Sequence, residues 1–329
     1  MEESSSVVKK AKKALNPKAR KVREERKITR TNQRTVILAG EVGFCFGVKR
    51  AINLTRQALA EREDVFILGD LVHNKSVTAE LEAKGLKKTD DFENRTSGTM
   101  VIRAHGLPKE SIQEARNLGL DVVNATCPIV LRAQEAAQSL QDRGCQVIII
   151  GDASHAEIKG IMGVLEKPAL VINTVEELHK AKEEHRLLRK VGVIFQTTHA
   201  LEMCYPIVNE LIYLCKEVQI INTICRPVQN RQDDALDLAS HVDLMIVVGS
   251  STSANTVELY LLCRYHNPKT MHIECASQLR PEDFTWANTI GVASGLSTPV
   301  ALVEEVRNYL ISYEDTTEEA NSYAGAAAK

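Results

Sequence analysis

Three cysteines occupy matching sequence settings, and their type and position suit them to shared chemistry. Cys127 lies in VVNATCP and Cys225 in IINTICRP, each after an apolar run and an Asn and ahead of a Pro suited to a helix start. Cys45 lies in GFCFGVKRAI, the same arrangement with Gly in place of Pro. A helix start lowers a thiol pKa through the helix dipole and open N–H groups, which favours metal ligation.

A glycine landmark repeats with the same spacing as the cysteines. LGDLVHN, IGDASHAE and VGSSTSAN place Gly69, Gly151 and Gly249 each 24 residues after a cysteine, and both series are separated by 82 and then 98 residues. RAHG, QTTH and SGLSTP form a looser third element. We infer three homologous α/β units in a pseudo-threefold arrangement, each contributing one cysteine and further polar residues.

Short β-branched runs alternate with amphipathic helical patterns along the chain. Strand then helix, repeated, predicts an α/β fold with mainly parallel sheets, in which ligands bind beyond the carboxyl ends of the strands. The predicted strands are 35–39, 65–68, 100–103, 121–123, 146–150, 169–172, 191–195, 218–221, 243–248, 271–273 and 290–293, and the predicted helices include 48–62, 129–142, 200–216 and 300–312.

The first part of the chain differs from the rest in charge. Residues 1–34 carry 12 Lys/Arg against four Glu, whereas the whole chain has a net charge of -2, so the remainder is acidic. This predicts a disordered basic arm and disfavours nucleic acid as the main ligand. The predicted divisions are the extension 1–34, α/β units at 46–127, 128–223 and 224–312 with 35–45, and a flexible tail at 313–329.

Several function classes lack their sequence signals. Eight cysteines without a secretion signal predict reduced thiols in a cytoplasmic protein, and no CxxC pair suggests a zinc ribbon or a redox dithiol. No apolar run reaches the roughly 20 residues that span a bilayer, so no membrane insertion is expected. GxxxxGK[ST] and GxGxxG motifs are missing, which leaves nucleotide hydrolysis and nicotinamide chemistry unsupported.

Three converging thiolates favour an iron–sulfur cluster over zinc. Structural zinc usually takes four protein ligands, and three cysteines with an open position are unusual for catalytic zinc. Thiolates hold iron–sulfur clusters, and three of them would leave one iron of a four-iron cluster open to act as a Lewis acid. The alternative is three buried cysteines in repeated turns. The unmatched cysteines are expected to be core or surface thiols: Cys145, Cys204, Cys215, Cys263 and Cys275.

Polar residues gather at the predicted strand ends. Hydroxyls, amides and imidazoles near helix starts suit a phosphate-type anion. The single carboxylate among them suits proton delivery better than chelation of a hard cation. The residues are His73, His105, His155, Glu157, Gln196, Thr197, Ser253, Asn255 and Ser297.

At these residues the sequence closely resembles the LytB/IspH family of 4-hydroxy-3-methylbut-2-enyl diphosphate reductases, over about residues 35–308. The resemblance is carried by GFCFGVKRAI, LVHN, RAHG, ATCP, HAE with IKGIMG, QTT, TIC with NRQ, GSSTSAN and ASGLSTP. It implies three α/β domains around a [4Fe-4S] cluster held by Cys45, Cys127 and Cys225. One iron would lack a protein ligand and bind the allylic hydroxyl of the substrate.

The same resemblance implies the reaction and its residues. The hydroxyl is removed with two electrons and two protons, giving isopentenyl and dimethylallyl diphosphates in the last step of the non-mevalonate isoprenoid pathway. Electrons would come from a ferredoxin or flavodoxin, and the chain would be a monomer or weak dimer. The implied roles are diphosphate binding by His73, His105, Ser253, Asn255 and Ser297 with His155 alongside, proton relay by Glu157, and a hydrogen bond from Thr197 to the hydroxyl.

Two residues depart from the family pattern, and two other functions stay open. Ala156 stands where Pro is usual, which affects the rigidity of that loop, and Ala254 stands where a second hydroxyl is common.

An iron–sulfur hydro-lyase would use the open iron without net electron transfer. A cluster-based regulator would bind RNA through the arm at 1–34.

Overall fold

Three sheets of mainly parallel strands form the framework of a computed structural model that describes residues 25–314. One sheet has five strands and the other two have four each. The predicted α/β class and the three-sheet organisation are confirmed. The chain divides into two compact units, and the predicted boundaries of three units stay predictions.

Unit one contains the five-stranded sheet and is assembled from residues 25–43, 229–251 and 256–314. The strand order is β1-β2-β13-β11-β12, parallel except for β1 against β2. Its strands are β1 (Lys27–Arg30), β2 (Thr35–Leu38), β11 (Leu244–Val248), β12 (Thr270–Ile273) and β13 (Thr289–Ser294). It contains most of α8 (Arg226–Ala239) and most of α9 (Ala254–His266). It also contains all of α10 (Pro281–Phe284) and α11 (Val300–Ser312) and a 3-10 turn at Ala276–Gln278.

Unit two contains the two four-stranded parallel sheets and comprises residues 44–228 with 252–255. Their orders are β4-β3-β5-β6 and β10-β9-β7-β8. The strands are β3 (Val65–Leu68), β4 (Lys87–Thr89), β5 (Thr99–Ile102), β6 (Asp121–Asn124), β7 (Gln146–Ile150), β8 (Leu170–Ile172), β9 (Lys190–Phe195) and β10 (Glu217–Ile220). The helices are α1 (Phe46–Glu61), α2 (Lys75–Ala83), α3 (Lys109–Asn117), α4 (Pro128–Asp142), α5 (Ala156–Met162), α6 (Val175–Glu183) and α7 (Leu201–Leu214).

Central strands are mostly apolar because helices cover both faces of each sheet. Val147 to Ile150 of β7 and all of β11 are buried. Gly192 in β9 allows α4 to pack closely, since a Cβ there would lie 2.8 Å from the Leu140 side chain. This packing holds the carboxyl ends of the strands, where the polar residues lie, in fixed positions.

The prediction of a disordered extension is wrong for its last ten residues. Lys27–Arg30 form β1, which pairs antiparallel with β2 from Lys27↔Leu38 to Arg30↔Thr35. This strand and β4 have no apolar pattern that would predict them, because their polar side chains lie on exposed edges of the sheets. Tyr313, assigned to the flexible tail, packs with its ring 5.3 Å from that of Phe284. Residues 1–24 and 315–329 lie outside the described residues.

An ion pair joins the beginning of unit one to its middle. Arg26 donates from Nε to Asp234 Oδ1 at 2.9 Å and from Nη2 to Asp237 Oδ2 at 2.9 Å. The buried Asp234 also accepts the Gly40 N–H at 2.7 Å. Burial raises the pKa of Asp234, and the Arg26 charge opposes this effect. Arg26 therefore compensates a buried carboxylate in α8.

We expect Arg26→Gln to lower the free energy of unfolding by about 2–4 kcal/mol, because it leaves the Asp234 carboxylate buried without its cation. In an Asp234→Asn background the same change should cost much less, since no buried charge remains. Lys27→Gln, which removes the exposed Lys27–Glu304 pair, is the control and should cost less than about 1 kcal/mol. Urea unfolding measures the native chain and the four variants, and equal losses from Arg26→Gln and Lys27→Gln would contradict the prediction.

Candidate functional site

Each of the three matched cysteines directly precedes an α-helix of the sheet framework. Cys45 is the N-cap of α1, and its Sγ accepts the Val48 N–H at 3.4 Å. Cys127 is the N-cap of α4, and Cys225 precedes α8. The Cys225 N–H donates to the carbonyl of Thr197 at 2.9 Å, which ties this turn to the end of β9. The helix-start positions predicted from sequence are confirmed.

The sulfur atoms of these cysteines lie close together in unit two. A Cβ at Gly47 would lie 2.6 Å from Cys127 Sγ and 3.9 Å from Cys45 Sγ. Burial raises the pKa of Cys127 and raises that of Cys225 to about 12, against the lowering effect of first-turn N–H groups. Negative charge on the neighbouring cysteines raises both values further. The expected net lowering of the pKa at a helix start is therefore wrong for these two thiols, because burial outweighs the N–H groups.

The other five cysteines lie in different surroundings. Cys145 and Cys263 belong to hydrophobic cores. The thiols of Cys204 and Cys215 donate to backbone carbonyls, and Cys275 lies beside a serine hydroxyl. All eight thiols are free of disulfides. This agrees with the expectation that the unmatched cysteines are core or surface thiols.

A buried carboxyl lies within electrostatic reach of the thiols. Glu157, in the first turn of α5, is 1% exposed. Its Oε1 accepts the Thr197 N–H at 2.7 Å, and the Thr197 hydroxyl lies 2.7 Å from Oε2. Burial raises the pKa of Glu157, while the two hydrogen bonds lower it. Its charge raises the pKa of Cys127 and Cys225, so the carboxyl and the sulfurs share one site.

Three histidine rings form a cluster in unit two. His73 and His105 have ring centroids 4.8 Å apart, and His155 lies 6.1 Å and 5.4 Å from them. Their nearest side-chain nitrogens lie within 4.8 Å of one another. Each ring comes from a loop at the carboxyl end of a strand: β3, β5 and β7 respectively. The structure thus brings together the three histidines that the sequence predicted as site residues.

The hydrogen bonding of His155 favours an anion over a metal ion at this cluster. His155 Nδ1 accepts the Glu157 N–H at 3.2 Å, which caps α5. A neutral imidazole has one N–H, so the hydrogen resides on Nε2 and this nitrogen is a donor. A metal-bound nitrogen must be unprotonated. His105 Nδ1 is shielded from solvent without a hydrogen-bond partner.

All three imidazoles are held in the neutral form. Burial is the main cause that lowers the pKa of all three rings, including His73. It lowers the pKa of His105 to well below its usual value and that of His155 to about 4. The Arg103 charge lowers all three further. This arginine is the first residue of the RAHG motif. The spacing of the motifs gives no sign that its charge acts on the three rings.

The hydroxyl and amide candidates are buried. Ser253 and Asn255 flank the start of α9 and belong to unit two, and the Asn255 amide nitrogen is shielded without a hydrogen-bond partner. Ser297 lies in unit one, between β13 and α11. Ala156 is the first residue of α5, whose N-cap is His155. Ala254 is the first residue of α9.

Sequence comparison assigns the family. The model of a family described as LytB protein matches residues 36–311. The chain belongs to the LytB family. A relative from Pelobacter propionicus is 39% identical over 271 residues, covering 82% of this chain and 95% of the relative. One from Aquifex aeolicus is 37% identical over 277 residues, covering 83% and 94%. Both are named 4-hydroxy-3-methylbut-2-enyl diphosphate reductase.

Solved structures of LytB relatives share this fold. A structure of (E)-4-hydroxy-3-methyl-but-2-enyl diphosphate reductase matches with a TM-score of 0.63 and 36% identity, over 84% of this chain and 99% of that chain. The reductase from Plasmodium falciparum matches with a TM-score of 0.79 and 26% identity, over 85% and 88%. The resemblance recognised from the motifs is confirmed.

Between residues 25 and 314, no helix has the length and apolar character needed to cross a membrane.

We expect acid to destabilise the fold between pH 6.5 and about 4, where His155 is protonated in the unfolded chain but neutral in the folded one. The unfolded state binds more protons there, so stability falls as pH falls. His155→Asn keeps a cap for α5 and should remove up to about 3 kcal/mol of this acid-dependent loss. Urea unfolding from pH 8 to 4 measures it, with pH 8 as the internal control. Parallel stability curves for the two chains would contradict the prediction.

Proposed function

We propose that this chain reduces (E)-4-hydroxy-3-methylbut-2-enyl diphosphate to isopentenyl and dimethylallyl diphosphates. The allylic C–O bond breaks, two electrons and one proton form the new C–H bond, and a second proton leaves with the hydroxyl as water. The observation that carries the proposal is one buried carboxyl placed beside three gathered thiols and linked through α5 to a neutral histidine cluster. Family membership and the names of the relatives support it.

The donor set fits an iron–sulfur cluster held by Cys45, Cys127 and Cys225. Gly47 lacks a side chain where a Cβ would crowd Cys127 Sγ, which leaves room beside the sulfurs. First-turn N–H groups bonded to the thiols would also stabilise the thiolates that ligation requires. A [4Fe-4S] cluster with one open iron would supply electrons and Lewis acidity when bound.

Glu157 is the proton source in this proposal. Burial raises its pKa and so favours the protonated carboxyl, the form that can donate a proton. Thr197 contacts both carboxyl oxygens and so fixes their direction. Hydroxide is a poor leaving group, and a proton delivered to it lowers the barrier to C–O cleavage. The Thr197 hydroxyl would also orient the substrate hydroxyl.

The histidine cluster binds the diphosphate in this proposal. His155 presents an Nε2–H donor because its Nδ1 caps α5. His73 and His105 add two further neutral rings from neighbouring loops. Ser253, Asn255 and Ser297 are proposed to contribute further hydrogen bonds to the diphosphate. A ferredoxin or flavodoxin is the proposed electron donor.

Iron and sulfide analysis after anaerobic purification tests the cluster, followed by oxidation of a chemical reductant on addition of the hydroxylated diphosphate. We expect about four irons per chain and substrate-dependent oxidation that yields both products. A full cluster without oxidation would contradict the reductase and favour the hydro-lyase. Absence of iron after reconstitution would refute the proposal that the three thiols are ligands.

Cys127→Ala is expected to lose the iron, whereas Cys145→Ala keeps it. The two thiols form a matched pair, because burial raises the pKa of both while Cys145 lies in a hydrophobic core away from Cys45 and Cys225. Iron per chain in the two purified variants measures the difference. Equal iron contents would overturn the ligand assignment.

Glu157→Gln is expected to retain iron and pyrophosphate affinity but to lose about 10²- to 10⁴-fold in kcat, because the amide cannot deliver the proton. Glu177→Gln is the matched control. Glu177 also accepts a backbone N–H, from Asn173, but it is exposed on α6. Steady-state turnover with excess reductant measures both variants, and near-normal turnover of Glu157→Gln would rule out Glu157 as the proton source.

A further inference from the structure

Arg103 is held against the loop that leads to the first histidine of the cluster. It follows β5, is half-buried, and its Nε lies 3.4 Å from the Gly106 carbonyl oxygen. A Cβ at Gly69 would lie 3.4 Å from Arg103 Nη1, so the guanidinium packs beside the Gly69 backbone. The Ala104 N–H donates to the Leu71 carbonyl at 3.2 Å and joins the two loops. The arginine is therefore fixed between the loops that carry His73 and His105.

The charge of Arg103 acts on the whole histidine cluster. It is a cause of the lowered pKa of His73, His105 and His155 alike. Asp70 is the carboxylate that acts on Arg103, and Asp70 is already bonded to Lys88 at 2.8 Å on the surface. Asp70 opposes Arg103 at His73, and Asp152 opposes it at His155, so Arg103 is the one of these charges that acts on all three rings.

We propose that Arg103 is a diphosphate-binding residue that supplies formal positive charge beside three neutral histidine donors. This rests on the proposed function, since the ligand is the diphosphate of the same substrate. A diphosphate is a multiply charged anion, and neutral imidazole N–H groups offer it hydrogen bonds without compensating its charge. A guanidinium offers both charge and a planar pair of donors that matches phosphate oxygens.

Each of the two loops beside Arg103 turns at a glycine. Gly69 has φ +71 and Gly106 has φ +82, both in the left-handed region that favours glycine. Side chains at these positions would be strained by the backbone conformation, and a Cβ at Gly69 would lie in van der Waals contact with the guanidinium. The two turns thus keep the backbone of both loops close to the arginine.

Calorimetric titration of the anaerobic holoenzyme with inorganic pyrophosphate tests the proposal. We expect Arg103→Met to raise the Kd about 10- to 100-fold and Arg103→Lys to raise it less, since lysine keeps the charge but loses the planar fork. Added salt should weaken binding by the native chain more than by Arg103→Met. In turnover, Arg103→Met should raise KM more than it lowers kcat.

Two further variants separate charge from folding. Arg95→Met removes another half-buried arginine of the same sheet, which packs 4.0 Å over the Phe66 ring and pairs with Asp64, and should leave pyrophosphate affinity unchanged. Asp70→Asn removes the carboxylate that acts on Arg103 and should tighten binding about 2- to 3-fold. Damage to the fold cannot produce such a gain.

Each failure has its own signature. Equal pyrophosphate affinity in the native chain and Arg103→Met would overturn the role of Arg103 and leave the proposed function intact. Equal losses in Arg103→Met and Arg95→Met would mean that the effect is structural, which also overturns it. If the native holoenzyme binds no pyrophosphate, the proposed diphosphate site fails, and the role of Arg103 fails with it.

Discussion

Exclusion of water from ionisable groups is the constraint on which the rest of this site depends. Burial raises the pKa of Cys127, Cys225 and Glu157 and lowers that of His73 and His155. In both directions the uncharged form is favoured, because a low-dielectric surrounding penalises charge. A cation bound by the thiols would have to replace their protons, whereas neutral imidazoles have N–H groups that can donate to an anion.

Parallel sheets make this burial possible. Every strand of the two sheets in unit two ends at the same edge as its neighbours, and the following helices begin there. Open N–H groups of the first turn can then bond to groups that would otherwise be isolated. Cys45 Sγ and His155 Nδ1 each accept such an N–H, from Val48 and Glu157. Sulfur and imidazole here take the place that Ser or Asp usually holds at a helix start.

The sequence allowed the main parts of the fold and the site to be predicted because they repeat. Equal spacing of cysteines and glycines identified the helix starts, and the β-branched runs identified the buried strands. Edge strands such as β1 carry no such pattern. The partner of Arg26 lies 208 residues away, and neither residue is marked by its neighbours in sequence. The place of Arg103 depends on how two loops pack, which periodicity does not report.

The order of segments in unit one has a consequence for biosynthesis. β2 pairs with β13, joining Thr35 to Thr289, so this sheet cannot close until the last strand has left the ribosome. Bringing such distant segments together carries a loop-closure cost that local contacts do not offset. Residues 44–228 of unit two, by contrast, form one continuous stretch that contains all three matched cysteines. The thiols can therefore be gathered on the nascent chain before the sheet of unit one exists.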